Sequence, residues 1–266
     1  MTTNYQEMID RFSGYAEMYN QYRPAPPDDF SVVLTQLAGI EIPECVVDLG
    51  CGTGLSTRYW ASRARQVIGI DPSEDMLQEA IRRNSAPNVP FRPGFGHETG
   101  LPNQCAEIVT CSDSLHWMEP ESTFREITRL LRPGGLFAWL NNSDEPVITP
   151  WEADRAFALF LKQSQALDEA RQVTQRVLRW RRTEYYQAFE THFRHVHAFQ
   201  LHHAGSWNAD QLVGWVLTLG HVQSLLKLDL SPKEIGLEAL ESEVVRVMGK
   251  GEYPWYWSAE IRVGVL

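Results

Sequence analysis

The sequence predicts an α/β protein built on an open, mostly parallel sheet with helices on both faces. Three observations carry this. A short buried-type run, Cys45 to Leu49, meets a glycine-rich turn, Gly50-Cys51-Gly52-Thr53-Gly54, and a helical pattern begins at Leu55. A second short strand, Gln66 to Ile70, ends in an acid, Asp71, about twenty residues past that loop, where a ribose-binding carboxylate is expected. Strand-like and helix-like stretches then keep alternating, as a right-handed wound sheet requires.

The first stretch sets the frame. Its strand suits burial on both faces, and the glycines that follow reach conformations closed to residues with a side chain, so a ligand can approach the backbone itself. The free amides of the turn and the N-terminus of the next helix face the crevice above the strand's carboxyl end, where open α/β sheets bind ligands. A lone Gly-x-Gly-x-Gly also makes ordinary tight turns. Followed by a strand that ends in Asp71 and by Pro72-Ser73, it describes a nucleoside site on a βαβ unit.

Taken in order, Tyr15, Met18, Tyr19 and Tyr22 recur at i, i+3, i+4 and i+7 and share one helix face, which Arg23-Pro24 closes. Such a stripe either docks on the core or borders a ligand. Helices over Leu55 to about Ala64 and Glu74 to Asn84 connect the first three strands, the third being Val89 to Arg92. The fourth strand, Glu107 to Cys111, runs into Ser112-Asp113-Ser114-Leu115-His116-Trp117. Phe124, Ile127 and Leu131 give the next helix an apolar face, and Arg132-Pro133-Gly134-Gly135 ends it before the fifth strand, Leu136 to Leu140. From Trp151 to about Phe189 the pattern is helical, with Arg176, Arg179, Arg181 and Arg182 near its end, a basic run of the kind that is usually a solvated face. Val196 to Leu201 reads as a sixth strand. Trp257, Ala259, Ile261, Val263 and Val265 alternate as a half-buried antiparallel last strand should. Between these two strands lies another helical block, with Trp207, Trp215, Leu219, His221 and Leu225 as its inward residues.

Composition narrows the function. With 266 residues, 43% of them hydrophobic, the chain can bury a sizeable core and suits one elaborated domain. A net charge of -10 works against phosphate backbones and anionic membrane surfaces, so neither nucleic acid nor membrane is an expected partner. The N-terminus lacks a basic segment followed by an apolar core and no stretch is long enough to span a bilayer, which leads to a cytoplasmic expectation. A monomer or homodimer fits. The four cysteines show no Cys-x-x-Cys pair and read as buried free thiols. His195, His197, His202 and His203 could suggest a metal, but the outward face of an alternating strand explains them equally well, and no metal is expected.

Five blocks in order carry a family likeness: Val46 to Gly54, Ile68 to Ser73, Leu101-Pro102, Leu115-His116-Trp117 and Leu131 to Gly135. Over roughly Phe12 to Leu140 the chain resembles class I S-adenosylmethionine-dependent methyltransferases. Most similar is the small-molecule branch called type 11, which includes the quinone-biosynthesis C-methyltransferases and the trans-aconitate methyltransferases. The resemblance implies a Rossmann-like, seven-stranded sheet whose antiparallel last strand inserts between the fifth and sixth. It divides a single domain of residues 1–266 into an N-terminal lid (1–30), a cofactor-binding core (39–142) and helical cap elements (150–190 and 205–250) near the substrate mouth.

The same resemblance implies S-adenosyl-L-methionine as cofactor and a small-molecule methyl acceptor. The cofactor would meet Tyr22, Arg23, Asp48, Gly50, Cys51, Gly52, Thr53, Gly54, Asp71, Pro72, Met76, Gly96, His97, Glu98, Ser112, Asp113, Ser114 and Trp117. His97 stands where many relatives carry a small polar or acidic residue, so Glu98 or a backbone carbonyl is the alternative partner for the adenine. The acceptor would meet Tyr15, Tyr19, His116, Trp117, Trp207, Trp215 and His221, with His116 either the catalytic base or a loop-orienting histidine. Two other readings stand beside this one. A nicotinamide-dependent dehydrogenase would read Gly-x-Gly-x-x-Gly, whereas here the third glycine comes one residue early, at Gly54. A non-catalytic S-adenosylmethionine-binding regulator would bind cofactor but methylate nothing.

Overall fold

A computed structural model describes residue 9 and residues 13–143, 145–173 and 179–266. Most of the expected N-terminal lid before residue 13, and Arg176 of the basic run, lie outside the described residues. The chain folds into two compact units that interleave along the sequence, one from residues 1–23, 144–178 and 202–257, the other from 24–143, 179–201 and 258–266.

The second of these is the α/β unit. Its strands are β1 (Cys45–Leu49), β2 (Gln66–Asp71), β3 (Phe91–Pro93), β4 (Ala106–Ser112) and β5 (Leu131–Asn142). Three more follow in the chain, β6 (Val147–Ile148), β7 (His195–Trp207) and β8 (Tyr253–Val265). The order β3-β2-β1-β4-β5-β8 is parallel except for β8, which runs antiparallel to β5 with Leu136 opposite Val265. Strand β7 pairs with β8, so the last strand does lie between the fifth and the one before it.

Alternation along the central strands builds two cores. Val47, Leu49, Val109, Cys111, Phe137 and Trp139 pack with helices Pro120–Leu130 and Arg182–His192. Val46, Val67, Ile108, Leu136, Ala138 and Ile261 pack on the opposite face with helices Asp29–Leu37 and Leu55–Tyr59. The first core centres on aromatic rings in edge-to-face and stacked contact: Phe124 lies 5.5 Å from Phe137 and 5.0 Å from Phe189, and Phe137 stacks on Phe189 at 5.2 Å.

The other unit is mainly helical. Helices Trp151–Arg171, Ala209–Leu217, Gly220–Leu226 and Leu237–Met248 surround an aromatic cluster in which Trp207, Trp215, Trp255 and Trp257 meet at centroid distances of 5.0–6.1 Å. Helix Ala16–Tyr22 docks here. Tyr22 lies so close to Gly214 that any larger residue at that position would collide with its ring, and Arg23 donates to Thr218 Oγ1 at 2.8 Å.

Several elements differ from the sequence expectation. The helix after the glycine turn stops at Tyr59, not Ala64, because Trp60 turns fully into the core and its amide bonds three residues back to Thr57. Strand β3 starts at Phe91 rather than Val89. The helical run after Trp151 is broken, its first helix ending at Arg171 with Gln172 in the left-handed conformation. Strands β5 and β7 are longer than expected. In β7 the extension places Gly205 and Trp207 against the tryptophan cluster, where Gly205 closely abuts the Trp255 ring.

Phe124 is fully buried, so Phe124→Ala should cost about 3–5 kcal/mol. Urea unfolding followed by circular dichroism should show a lower midpoint with an unchanged slope. A loss below about 1 kcal/mol would show that the aromatic cluster can collapse around the gap.

Candidate nucleoside-binding site

The carboxyl ends of β1, β2 and β4 meet at the glycine turn, and two buried carboxylates hold that turn. Asp48, the fourth residue of β1, is fully buried. Its Oδ2 accepts from Ser56 Oγ at 2.6 Å and Thr57 Oγ1 at 2.7 Å, and its Oδ1 accepts from Thr110 Oγ1 at 2.8 Å. Burial pushes its pKa up, and the three hydroxyl donors oppose that shift. Asp48 thereby fastens β1 to the helix that follows the turn and to β4.

Asp71 closes the loop from the other side. Its Oδ2 accepts the Gly52 amide at 2.8 Å and its Oδ1 the Ser73 amide at 2.8 Å. Burial raises its pKa to about 6, against the pull of those two amides. Ser73 caps the next helix by accepting from the Met76 amide, and the Met76 side chain is buried. Pro72 lies between them, half-buried.

Gly50 and Gly52 differ in what surrounds them. Both have positive φ, 64° and 53°. A Cβ at Gly50 would fall 2.5 Å from Ser114 Oγ and 2.7 Å from Met118 Cε, whereas one at Gly52 would meet nothing within 4 Å. Gly50 is thus glycine for packing, and the space over Gly52 is open to a ligand. Gly54, also left-handed, caps the helix at Leu55, and Cys51 is buried with its thiol pKa driven well up by burial, which keeps it protonated.

The end of β4 completes the rim. Ser114 Oγ donates to the Leu49 carbonyl at 3.1 Å, tying the ends of β1 and β4 together. Asp113 has φ of 51°, and its carboxylate accepts from the Asn142 amide and side chain at 2.8 and 2.7 Å. His116 and Trp117 follow in a 3₁₀ turn with ring centroids 4.6 Å apart. Gly96 lies against Met118 Sδ, and the turn Phe95 to Glu98 is closed by the Glu98 amide on the Phe95 carbonyl. The His97 ring stacks on Phe95 at 5.4 Å, and Glu98 is exposed.

These residues fit a nucleoside. Thr53 Oγ1 and Ser112 Oγ are buried and lack a hydrogen-bond partner among the described residues. Each Asp71 oxygen has a lone pair left after its amide bond. The remaining expected residues lie in the helical unit. Tyr15 is buried, Tyr19 and Tyr22 belong to helix Ala16–Tyr22, Trp207 and Trp215 sit in the tryptophan cluster, and His221 Nε2 lies 3.0 Å from Ser164 Oγ.

Sequence reasoning missed Met118, which backs both Gly50 and Gly96, and the hydroxyl set of Ser56, Thr57 and Thr110 around Asp48. Ser56 and Thr57 could have been found, since hydroxyls in the first turn after a glycine loop can reach back to a buried acid. Thr110 and Met118 carry no local signal. Among the described residues no group of three or more His, Cys, Asp or Glu could hold a metal, and no helix is long and apolar enough to cross a membrane.

A glycine turn after the first parallel strand, a carboxylate at the end of the second and room over the turn are the layout in which α/β sheets bind nucleosides. Comparison with known proteins finds a family likeness over part of the chain. Residues 47–139 match the family model described as Methyltransferase domain. An uncharacterized methyltransferase-like protein of Schizosaccharomyces pombe is 30% identical over 134 residues, covering 50% of this chain and 51% of that protein. An uncharacterized methyltransferase of Mycobacterium tuberculosis is 30% identical over 147 residues, 54% of this chain and 58% of the other. The chain thus spans about half the length of the curated relatives it matches. A solved structure described as a type II methyltransferase from Anaeromyxobacter dehalogenans superposes with a TM-score of 0.69 at 20% identity, over 92% of this chain and 98% of that one. Residues 47–139 thus resemble a methyltransferase domain, and the chain shares the α/β fold of that solved methyltransferase.

Removing the Asp48 carboxylate would strand three hydroxyls in the core. Asp48→Ala should cost about 3–5 kcal/mol, read as a drop in thermal midpoint, and Asp48→Asn should lose less because one acceptor oxygen remains. Equal losses would show that the negative charge, rather than the count of acceptors, secures the turn.

Proposed function

We propose that the chain binds S-adenosylmethionine above the glycine turn and transfers its methyl group to a small-molecule acceptor. The observation that carries this is Asp71, buried at the end of β2 and bound to the Gly52 amide, with acceptor capacity left for a ribose diol. The open space over Gly52 admits the nucleoside. Thr53 and Ser112 supply hydroxyls for its polar edges, and the Phe95 to Glu98 turn supplies an adenine wall. When bound, the cofactor supplies a methyl group already activated as a sulfonium.

What the protein adds is position and dryness. Trp117 shapes the acceptor side. His116 takes the proton from an acceptor that gives it up reluctantly, such as a phenol or an activated carbon, while an amine or thiolate needs no base. A small, partly apolar acceptor fits the aromatic content and net charge of -10. The segment through Tyr15, Tyr19, Tyr22 and Arg23 acts as a lid, its aromatic faces suited to a sulfonium and its guanidinium to a carboxylate. Trp207, Trp215 and His221 belong to a helical cap that adds to acceptor recognition.

Asp71→Ala should weaken binding of S-adenosylmethionine and of S-adenosylhomocysteine alike, by about 1.5–3 kcal/mol, in calorimetric titration. pH gives a second check. The diol donates to the ionised carboxylate, so affinity should be full above pH 6 and fall as pH drops through about 6. Asp71's own contribution to folding runs the other way: its raised pKa favours the folded state below the ordinary carboxylate range, and that contribution is lost as pH rises through about 6. Affinity that does not change between pH 5 and 7 would remove Asp71 from the diol.

Turnover is tested by incubating the protein and methyl-labelled cofactor with a metabolite extract and finding the labelled product by mass spectrometry. Label confined to RNA, DNA or protein would contradict a small-molecule acceptor. For the lid, hydrogen exchange over residues 13–24 should slow when cofactor is added. Equal protection with and without it would make this a fixed structural helix and remove its tyrosines and Arg23 from the site.

A further inference from the structure

Arg179 is an exposed cation placed over Trp117, and among the described residues it has no anchor of the kind that other arginines over rings possess. Its guanidinium lies 5.7 Å from the Trp117 ring. The next residue, Trp180, donates its amide to the His116 carbonyl at 3.2 Å, which fixes the backbone of this segment to the same 3₁₀ turn. Other arginines that pack on aromatic rings are also hydrogen-bonded or paired. Arg63 over Tyr59 donates to the Tyr59 carbonyl, Arg262 over Tyr186 lies 3.6 Å from Glu260, and Arg23 over Tyr19 donates to Thr218. For Arg179 the described residues offer no acid or carbonyl partner.

Charge makes the position informative. Cations are outnumbered in this chain, 24 Lys and Arg against 34 Asp and Glu, so an anion approaching the protein is repelled on average. Arg182, three residues on, pairs with Glu260 at 3.7 Å. Among the described residues none takes up the five donors of Arg179, which is exposed over Trp117. A planar guanidinium held over the Trp117 indole, next in sequence to the Trp180 amide that bonds His116, matches a carboxylate or phosphate bidentately.

We propose that Arg179 is a specificity-determining residue that binds an anionic group, a carboxylate or a phosphate, on the methyl acceptor, with Trp117 as the wall behind it. This rests on the methyltransferase reading above. The anion is bound by charge and shape alone and undergoes no chemistry, so Arg179 sets which acceptors enter and not how fast the methyl moves.

The test separates this from turnover. Arginine modification by phenylglyoxal, mapped residue by residue by mass spectrometry, is run on the full chain with malonate, with inorganic phosphate, or with potassium chloride at matched ionic strength. Arg179 should be protected severalfold by malonate or phosphate and not by chloride, and the effective anion names the group. Protection of Arg179 by neither anion, or equally by chloride, would overturn the proposal. A kinetic arm uses the labelled acceptor recovered from the metabolite extract. Arg179→Gln should raise its KM at least tenfold with kcat and S-adenosylhomocysteine affinity nearly unchanged, and Arg179→Lys should restore part of the loss. An acceptor that carries no anion, or an unchanged KM in Arg179→Gln, would also overturn it. Failure of the protein to bind S-adenosylhomocysteine in the calorimeter would count against the methyltransferase reading instead, because anion protection of Arg179 is read without cofactor.

Discussion

The glycine turn depends on two carboxylates buried beneath it. Left alone, a buried carboxylate is costly, and its pKa rises until it prefers to be neutral. Here each is held by donors that the fold brings to it, some from nearby residues and one, Thr110, from far along the chain. Asp48 gathers hydroxyls from the following helix and from β4, and Asp71 takes amides from the turn and from the start of the next helix. The difference between them matters. Asp48 has its oxygens engaged by side chains and is a fastening, while each Asp71 oxygen takes a single amide and keeps a lone pair for a ligand. One acid is spent on the fold and the other keeps acceptor capacity, though both sit at or near the ends of neighbouring strands.

That division explains why the loop can be so exact in shape without a side chain of its own. Gly50 is fixed by contact with Ser114 and Met118, Gly54 begins the helix, and Gly52 between them is held to Asp71 through its amide. A rigid frame with one open residue is what close approach to a nucleoside requires.

Much of this was legible in the sequence because it is local. A strand, a glycine turn and an acid after the next strand lie within thirty residues, and each has a pattern tied to backbone conformation. The antiparallel last strand was legible for the same reason, through alternation from Trp257 to Val265. Less legible were the features set by distant contacts. Trp60 ends a helix early because it finds a core slot beside Phe30, a contact that no local pattern announces. Thr110 and Met118 serve the site only because β4 lies beside β1. The aromatic stripe at Tyr15 to Tyr22 shows the limit most clearly. Helical spacing identifies a face, and docking of that face against Gly214 and Thr218 is a matter of three-dimensional packing.

The central claim, that the turn held by Asp48 and Asp71 is an S-adenosylmethionine site, is tested most directly by amide-resolved NMR during titration with S-adenosylhomocysteine. The amides of Gly52, Thr53, Ser73 and Ser112 should shift first and together, with one saturation curve. Shifts confined to other regions, or none with this ligand while a nicotinamide dinucleotide moves the same four amides, would contradict the account.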